Sequence, residues 1–235
     1  MVDVKICGIS SLADYQICRS AGARWVGMVY YPGSPRHLDS AALARLADQI
    51  DQLDDGDGGG DGGGDGGSQR VLLSVDQSEA SLRQLIAAAR PDYLQLHGTE
   101  TVAFASAMKA EFNLPIIKMI PIATAADLAN CAAWDGIADW LIFDAKTDPG
   151  TQPGGTGHSF DWQILSHYSG HTPWMLAGGL TAGTVADAVR ISGARAVDVS
   201  SGVESLMFPS RRGFRKCICV HLSATSPTVC RPGHF

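Results

Sequence analysis

Long apolar runs are missing from this 235-residue sequence. A membrane-spanning helix needs about 18 or more consecutive apolar residues, and no stretch of the chain reaches that length. The opening residues, MVDVKICGIS, also lack the apolar segment of a signal peptide. We therefore expect a soluble protein of the cytoplasm that has no membrane partner.

Positive charge is also scarce. The chain carries 18 Lys and Arg against 24 Asp and Glu, a net charge of −6. Five of the basic residues fall within 205–235, which contains no Asp or Glu, so residues 1–204 alone have a net charge of −11. Nucleic-acid binding needs a basic surface, so we expect no such partner. An anionic substrate would have to be held by local hydrogen-bond donors.

Cysteines at metal-ligand spacing are almost absent. Six cysteines lie at positions 7, 18, 131, 217, 219 and 230. Cys217 and Cys219 are separated by one residue, but no further ligands stand at a suitable spacing, so we predict no metal site. A disulfide framework is not expected in a chain of this size and context.

The sequence does contain a regular alternation of short apolar runs with Ala- and Leu-rich stretches of helical spacing. The predicted strands are 3–7, 24–29, 70–75, 92–96, 115–119, 139–143, 173–176 and 195–199. The predicted helices are 11–21, 40–52, 78–89, 99–111, 124–133, 160–167 and 181–190. Eight strands joined by helices predict a parallel α/β fold, the (β/α)8 TIM barrel. The alternative is an open doubly wound sheet, which usually carries a G-x-G-x-x-G motif that this chain lacks.

Two segments interrupt the alternation. Residues 54–67 comprise nine Gly and five Asp, which predicts a flexible loop on the face opposite the active site. Residues 205–235 show no clear apolar helical face where the eighth helix of a barrel is expected. The predicted organisation is a single barrel domain over 1–204, followed by an atypical basic tail over 205–235 in place of that helix.

Two proton-transfer groups stand at strand ends, where barrels of this kind place their active sites. Cys7 ends the first strand, and Lys5 shares its face, so a buried Lys5 paired with Asp198 of the eighth strand would lower the pKa of Cys7. Asp144 follows an apolar strand, where burial would raise its pKa and suit it to general acid catalysis. The alternatives are an inert buried Cys7 and an Asp144 that only caps backbone amides.

Glycines and serines follow the last two strands. Gly178 and Gly179 come after the seventh strand, and Ser200, Ser201 and Gly202 come after the eighth. Glycines let backbone N–H groups approach a ligand closely, and these two loops are the usual phosphate site of such barrels. We therefore predict a phosphate site at this edge.

Further polar side chains follow the remaining strands. Arg36, in the loop after the second strand, is suited to pairing with a substrate carboxylate, although a solvated loop arginine is the alternative. Asp76, His97 and Lys118 follow the third, fourth and fifth strands and are weaker candidates for the same site.

Eight short segments form a pattern that is highly specific when taken together. They are KICGI (5–9), YPGSPR (31–36), LQLHG (94–98), FDAKT (143–147), GGTG (154–157) with FDW (160–162), AGGL (177–180) and VDVSSGVE (197–204). In this order they resemble the phosphoribosylanthranilate isomerase family of tryptophan biosynthesis. The resemblance runs from about residue 2 to residue 204.

The resemblance implies an Amadori rearrangement without a cofactor, in which N-(5-phosphoribosyl)anthranilate becomes 1-(2-carboxyphenylamino)-1-deoxyribulose 5-phosphate. Asp144 would protonate the furanose ring oxygen, Cys7 would remove the C2′ proton of the resulting Schiff base, and Arg36 would bind the anthranilate carboxylate. The other implied substrate-binding residues are Gln95, His97, Gly178, Gly179, Asp198, Ser200, Ser201 and Gly202. The expected partner is this phosphorylated small molecule, and the chain is expected to be a monomer or a homodimer.

The chain also departs from the family. It has Val75-Asp76 where the family tends to have Val-Asn, it carries the Asp/Gly insertion, and its tail replaces the family's final helix. We expect intact catalytic residues but lower stability, because each uncovered apolar side chain forgoes about 1.5–3 kcal/mol of burial free energy. Two other functions stay open: a related phosphate-binding barrel isomerase or lyase, which Cys7 and Arg36 disfavour, and an inactive copy that acts through its basic tail.

Overall fold

The computed structural model describes residues 2–56, 67–146 and 159–203. In this part of the chain eight parallel strands pair in sequence order, and β8 pairs with β1 to close a barrel. The strands are β1 Asp3–Cys7, β2 Trp25–Tyr30, β3 Gln69–Ser74, β4 Tyr93–Leu96, β5 Ile116–Ile122, β6 Trp140–Ala145, β7 Trp174–Leu176 and β8 Ala196–Val199. The predicted (β/α)8 fold is confirmed, and the doubly wound sheet is excluded.

Helices connect the strands on the outside of the barrel. The α-helices are α1 Leu12–Ser20, α2 Ser40–Gly56, α3 Glu79–Ala89, α4 Val102–Phe112 and α5 Val185–Ser192. Three of them begin at a side-chain cap, because the hydroxyls of Ser11, Ser78 and Thr101 accept hydrogen bonds from the N–H groups of Asp14, Ser81 and Phe104. Among the helices described, none is long and apolar enough to cross a membrane.

Two of the predicted α-helices are 3₁₀ segments instead. They are Ala125–Trp134 between β5 and β6, and Trp162–His167 between β6 and β7. Hydrogen bonds between residues three apart close both, from Asp135 N–H to the Ala132 carbonyl and from Tyr168 N–H to the Leu165 carbonyl. A further short 3₁₀ turn, Ser201–Val203, follows β8.

Tertiary contacts move some of the predicted boundaries. Strands β5 and β6 both run further than predicted, because Pro121 and Ile122 pair with Asp144 and Ala145. Asp144 therefore lies within β6 rather than after it. Helix α2 also continues past its predicted end at residue 52, since Asp54 accepts a 3.1 Å hydrogen bond from the hydroxyl of Tyr15.

Some predictions fall on the remaining residues. The middle of the Asp/Gly loop, the segment Gly154–Gly157 and the tail over 205–235 lie outside the described residues. The expected flexibility of the loop, the replaced eighth helix and the lower stability therefore stay predictions.

Alternate residues of the strands fill the barrel in levels. Near the strand N-termini the interior is apolar, and Trp25 packs edge-on against Trp140 there, with ring centroids 5.1 Å apart. Above this apolar level the interior is polar, with buried side chains of Lys5, Gln95 and Asp198. The apolar floor thus closes one end of the barrel and leaves the polar groups facing the other end, where the strands terminate.

Candidate active site

Cys7 lies inside the barrel at the C-terminal end of β1, with 6% of its surface exposed. Gly27 of β2 is its neighbour in the sheet. A Cβ atom on Gly27 would lie 3.0 Å from the sulfur of Cys7 and 3.3 Å from Nζ of Lys5. The thiol and the ammonium group therefore surround the space that this glycine leaves open. Sequence reasoning missed Gly27, although a glycine within an apolar strand is a known indication of close approach.

Lys5 is fully buried directly below Cys7 and pairs with Asp198 of β8. Its Nζ lies 2.9 Å from Oδ1 of Asp198, as the alternation of the strands predicted. The ammonium and the carboxylate compensate one another in an interior where a single unpaired charge would be very costly.

The pKa of Cys7 is raised, whereas the sequence predicted that it would be lowered. Burial of the thiol is the largest cause, and it outweighs the positive charge of Lys5. The negative charge of Asp198 acts in the same direction as burial, and Arg36 opposes it weakly. The prediction was wrong because it counted the neighbouring cation but not the loss of water around the sulfur.

Asp144 faces the same interior from β6, with 13% of its side chain exposed. Its Oδ1 accepts a 2.8 Å hydrogen bond from the N–H of Ala145, which is the capping contact of the alternative interpretation. That hydrogen bond involves only Oδ1, so Oδ2 is available for proton transfer. Burial, reinforced by the negative charge of Asp198, raises the pKa of Asp144 to about 7, as the sequence predicted.

His97 is buried beside Asp144, at the end of β4. Its Nε2 lies 3.9 Å from Oδ2 of Asp144, and its Nδ1 lies 2.9 Å from Nε2 of Gln95. Burial, together with the charges of Lys5 and Lys118, lowers the pKa of His97 to about 3, so the imidazole is neutral. If Gln95 donates to Nδ1, the His97 proton resides on Nε2 and is directed towards Asp144.

Arg36 is buried rather than solvated, with 8% of its surface exposed. Its aliphatic stem crosses Gly8, where φ is +96° and a Cβ atom would overlap Cδ of Arg36. Its Nε would lie 3.2 Å from a Cβ atom on Gly8, the residue that directly follows Cys7, so the guanidinium group lies near the end of β1. The loop after β2 thus brings a cation to the rim of the site.

The loops after β7 and β8 meet through glycines. Gly178 and Gly179 adopt φ values of +89° and +63°, which side-chain-bearing residues rarely reach. A Cβ atom on Gly178 would lie 3.3 Å from Oδ1 of Asp144, and one on Gly202 would overlap the carbonyl oxygen of Leu180. The structure therefore brings the two predicted phosphate-binding loops together at Gly202 and Leu180, and Gly178 lies next to the carboxyl group of Asp144.

The hydroxyl of Ser200 donates a 3.0 Å hydrogen bond to the carbonyl oxygen of Cys7 and so ties β8 to β1. With its donor used in this way, the Ser200 hydroxyl has none left for a phosphate group, which only accepts. The neighbouring Ser201 begins the 3₁₀ turn that contains Gly202.

Two of the weaker candidates lie outside the barrel interior. Lys118 is one residue out of phase with the inward-facing Ile117 and Met119, and it forms an ion pair with Glu100 on the outer side of β5. Asp76 accepts the N–H of Thr99 at 2.6 Å and holds a loop turn. Neither side chain takes part in the interior site.

An apolar wall beside Cys7 was missed by the sequence reasoning. Val29 of β2 and Leu73 of β3 pack against Cys7, with Tyr31 and Val75 at their edge. Strand alternation could have found these residues, because each is separated by an even number of positions from another inward-facing residue of its strand. They give the site one apolar side opposite its polar groups.

Cys7 and Asp144 are part of one electrostatic system. Lys5 and Asp198 influence the pKa of both groups. Thiol and carboxyl thus face the same buried pair from different strands, at one end of the barrel. This arrangement of a base and an acid can move two protons on one small molecule.

Comparison with known proteins gives a consistent result. The family model described as N-(5'phosphoribosyl)anthranilate (PRA) isomerase matches residues 65–206. The N-(5'-phosphoribosyl)anthranilate isomerase of Rhodopseudomonas palustris (strain BisB18) is 45% identical over 203 residues, covering 86% of this chain and 87% of the relative. The enzyme of the same name from Rhodospirillum rubrum is 42% identical over 204 residues, covering 86% and 89%.

Solved structures share the fold. Phosphoribosyl anthranilate isomerase from Thermus thermophilus superposes with a TM-score of 0.72 at 26% identity, covering 94% of this chain and 98% of that one. A phosphoribosyl anthranilate isomerase in complex with reduced 1-(o-carboxyphenylamino)-1-deoxyribulose 5-phosphate has a TM-score of 0.68 at 23% identity, covering 91% and 93%.

Proposed function

Because the chain belongs to the N-(5'-phosphoribosyl)anthranilate isomerase family of tryptophan biosynthesis, we propose that Cys7 is the general base and Asp144 the general acid of the family's Amadori rearrangement. The observation that carries this proposal is that both groups lie in the interior at one end of the barrel, Cys7 at the end of β1 and Asp144 near the end of β6. A pentose placed between them can receive a proton on one side and lose one on the other.

Asp144 acts first. With a pKa of about 7, an appreciable share of its carboxyl group is protonated at neutral pH. It donates its proton to the furanose ring oxygen, the bond from that oxygen to C1′ breaks, and the nitrogen lone pair forms the C1′=N bond of a Schiff base. Burial thus supplies the protonated carboxyl group that the ring opening requires.

Cys7 acts on the opened sugar. Its thiolate removes the C2′ proton, the electrons of that C–H bond form the C1′=C2′ bond, and the π electrons of the C1′=N bond return to nitrogen, which gives an enolamine. The enolamine tautomerises to the ketone by gaining a proton at C1′ and losing the proton of its C2′ hydroxyl. The raised pKa makes the thiolate rarer but more basic. Lys5 lies where it stabilises the negative charge on sulfur.

The phosphate group of the substrate fits the loops after β7 and β8. Gly178, Gly179, Ser201 and Gly202 would offer backbone N–H groups there, and the positive φ values of Gly178 and Gly179 are conformations that glycine adopts readily. The hydroxyl of Ser200 already donates to the carbonyl oxygen of Cys7, so Ser200 would bind the phosphate group through its N–H instead. Backbone donors hold an anion without a charged side chain, which an acidic protein needs.

The anthranilate end fits the opposite side. The aromatic ring would pack on the apolar wall of Val29 and Leu73, and Arg36 would pair with its carboxylate. Between the two ends, the sugar hydroxyls would meet Gln95, His97 and Asp198. Oε1 of Gln95 is buried with no hydrogen-bond partner among the described residues, and it is therefore available as an acceptor.

The proposed steps move protons only, so they need no cofactor. We place the enzyme in the cytoplasm, where thiols stay reduced, since the proposed base Cys7 has to be a free thiol. Sedimentation equilibrium would decide between the monomer and the homodimer that the sequence leaves open.

Complementation of a tryptophan auxotroph that lacks this step tests the function. We expect the wild-type chain and the control Cys18→Ala, which alters a buried cysteine of α1, to restore growth. Cys7→Ala and Asp144→Asn should not, and their purified turnover should fall by orders of magnitude while their thermal midpoints are retained. Failure of the wild-type chain would favour an inactive copy, and wild-type turnover in either site variant would refute the proposed roles.

A further inference from the structure

A second buried ion pair lies just outside the ring of strands, behind the active site. Nζ of Lys118, on β5, is 2.7 Å from Oε2 of Glu100. Their side chains are 5% and 3% exposed, and the ring of Trp134 covers the ammonium group at 5.3 Å. None of the proposed catalytic steps uses this pair.

The pair fastens two loops to β5. Lys118 also donates a 2.7 Å hydrogen bond to the carbonyl oxygen of Gly98. Glu100 accepts the N–H of Gly98 at 3.0 Å and the N–H of Asp76 at 3.0 Å. Asp76 in turn accepts the N–H of Thr99. The loops after β3 and β4 are therefore held to the neighbouring strand by buried charges.

The Lys118–Glu100 pair thereby fixes the position of His97, which directly precedes Gly98. His97 lies beside Asp144 and is kept neutral by burial and by the charges of Lys5 and Lys118. A neutral imidazole leaves the carboxyl group of Asp144 without a cation beside it, whereas a protonated one would stabilise the carboxylate. The groups that face Asp144 are then His97 from β4, Lys5 from β1 and Asp198 from β8.

We propose that Lys118 and Glu100 are positioning residues for the general acid, which fix the turn at 97–100 so that the imidazole of His97 shields Asp144 from water. The proposal rests on the proposed role of Asp144. Stability alone is a weak reason for such a pair, because two well-packed neutral side chains are often as stable as a buried ion pair. What charged partners add is one fixed geometry, since each must reach several defined backbone groups.

The test compares the double variant Lys118→Met with Glu100→Gln against the wild type. The double change leaves no buried charge unpaired, so its thermal midpoint should stay close to that of the wild type. We expect kcat to fall about tenfold or more while KM changes much less. The limb of the pH–rate profile that titration of Asp144 produces should move to lower pH, because water admitted beside the carboxyl group restores its ordinary acidity.

A matched control is available at the opposite end of the barrel. Lys109 pairs with Asp139 at 2.8 Å and donates to the carbonyl oxygen of Ile137, far from the strand C-termini. The hydrogen-bonding groups are of the same types, although this pair is about one third exposed. Lys109→Met with Asp139→Asn should leave kcat and the pH profile unchanged. Lys118→Arg, which keeps the charge, should retain most of the turnover that the double variant loses.

Wild-type kcat and an unmoved pH limb in the double variant would overturn the inference. If that variant does not fold, Glu100→Asp decides, because its shorter side chain cannot reach Lys118 and the N–H groups of Gly98 and Asp76 together. An unchanged pH limb in Glu100→Asp would also overturn the inference. Asp144→Asn is measured in parallel. Its inactivity together with wild-type behaviour of the Lys118 and Glu100 variants refutes only this inference, whereas full activity of Asp144→Asn refutes the proposed function itself.

Discussion

Nζ of Lys5 and Oδ1 of Asp198 are 2.9 Å apart at the seam where the first and last strands close the barrel. The pair places a cation below Cys7 and an anion near Asp144. Each charge therefore affects both proton-transfer groups, the cation favouring their ionised forms and the anion their neutral forms. One structural contact thus joins the closure of the fold to the chemistry of the site.

Removal of the cation should destabilise the protein. Lys5→Met leaves the buried carboxylate of Asp198 unpaired, and we expect a loss of about 3–5 kcal/mol in the free energy of unfolding. Urea denaturation at neutral pH measures it. The double variant Lys5→Met with Asp198→Asn should recover part of the lost free energy of unfolding. A Lys5→Met protein as stable as the wild type would show that the pair does not stabilise the fold.

The carboxyl group of Asp144 should make stability depend on pH. Its pKa is about 7 in the folded protein and 3.8 in the reference state. Because the folded state binds the proton more tightly, stability is highest below the lower value, falls as the pH rises towards 7 and is flat above it. The full change is on the order of 4 kcal/mol.

Asp144→Asn has no carboxyl group to titrate at this position, so it is the reference for the pH dependence of wild-type stability. Across urea denaturation curves recorded from about pH 4.5 to 8, the stability of the wild type should fall relative to that of the variant. Parallel dependence of the two proteins on pH would contradict the buried state of the carboxyl group.

The contact between the loops after β7 and β8 should control phosphate binding. In Gly202→Ala the new methyl group would overlap the carbonyl oxygen of Leu180, so the turn must shift. We expect KM for the phosphorylated substrate to rise about tenfold or more. Gly183→Ala is the control, because its Cβ atom would have only Thr181 nearby, at 3.8 Å. Equal KM values in Gly202→Ala and Gly183→Ala would show that the phosphate group does not bind at the turn of Gly202.

Arg36 should recognise the anthranilate carboxylate and not the sugar. Arg36→Met keeps the aliphatic stem over Gly8 and removes the charge. Binding of reduced 1-(o-carboxyphenylamino)-1-deoxyribulose 5-phosphate should weaken about 10- to 100-fold, as expected for a charge-assisted contact. The same analogue without its carboxyl group should bind Arg36→Met and the wild type equally in calorimetry. If Arg36→Met binds both analogues more weakly than the wild type does, the assignment is refuted.

Strand periodicity predicted more of this molecule than any other sequence feature. It gave β1 with its observed bounds and placed Lys5, Cys7 and Asp198 on one interior face, since a period of two leaves no freedom once a strand is located. Periodicity did not predict that Lys118 lies on the outer side of β5. The direction of its side chain depends on the register of β5 with β6, which cannot be read from the sequence. The substrate itself came from the resemblance and not from the residue pattern.

Other features depended on magnitudes that a sequence does not supply. Burial decides the direction of the Cys7 pKa shift, and the depth of burial is known only once the barrel is closed. The 3₁₀ segment Trp162–His167 replaced a predicted helix, since the local pattern does not distinguish one turn type from the other. Gly27 gains its meaning only from the thiol and ammonium groups packed against it.

The most direct measurement is a crystal structure of this protein with the reduced product analogue bound. We expect the sulfur of Cys7 to lie about 3–4 Å from C2′ of the analogue. A carboxylate oxygen of Asp144 should lie within about 2.6–3.2 Å of the oxygen on C4′, which belongs to the furanose ring of the substrate. An analogue that contacts only one of the two groups, or that leaves both on the same side of its carbon chain, would contradict the central claim.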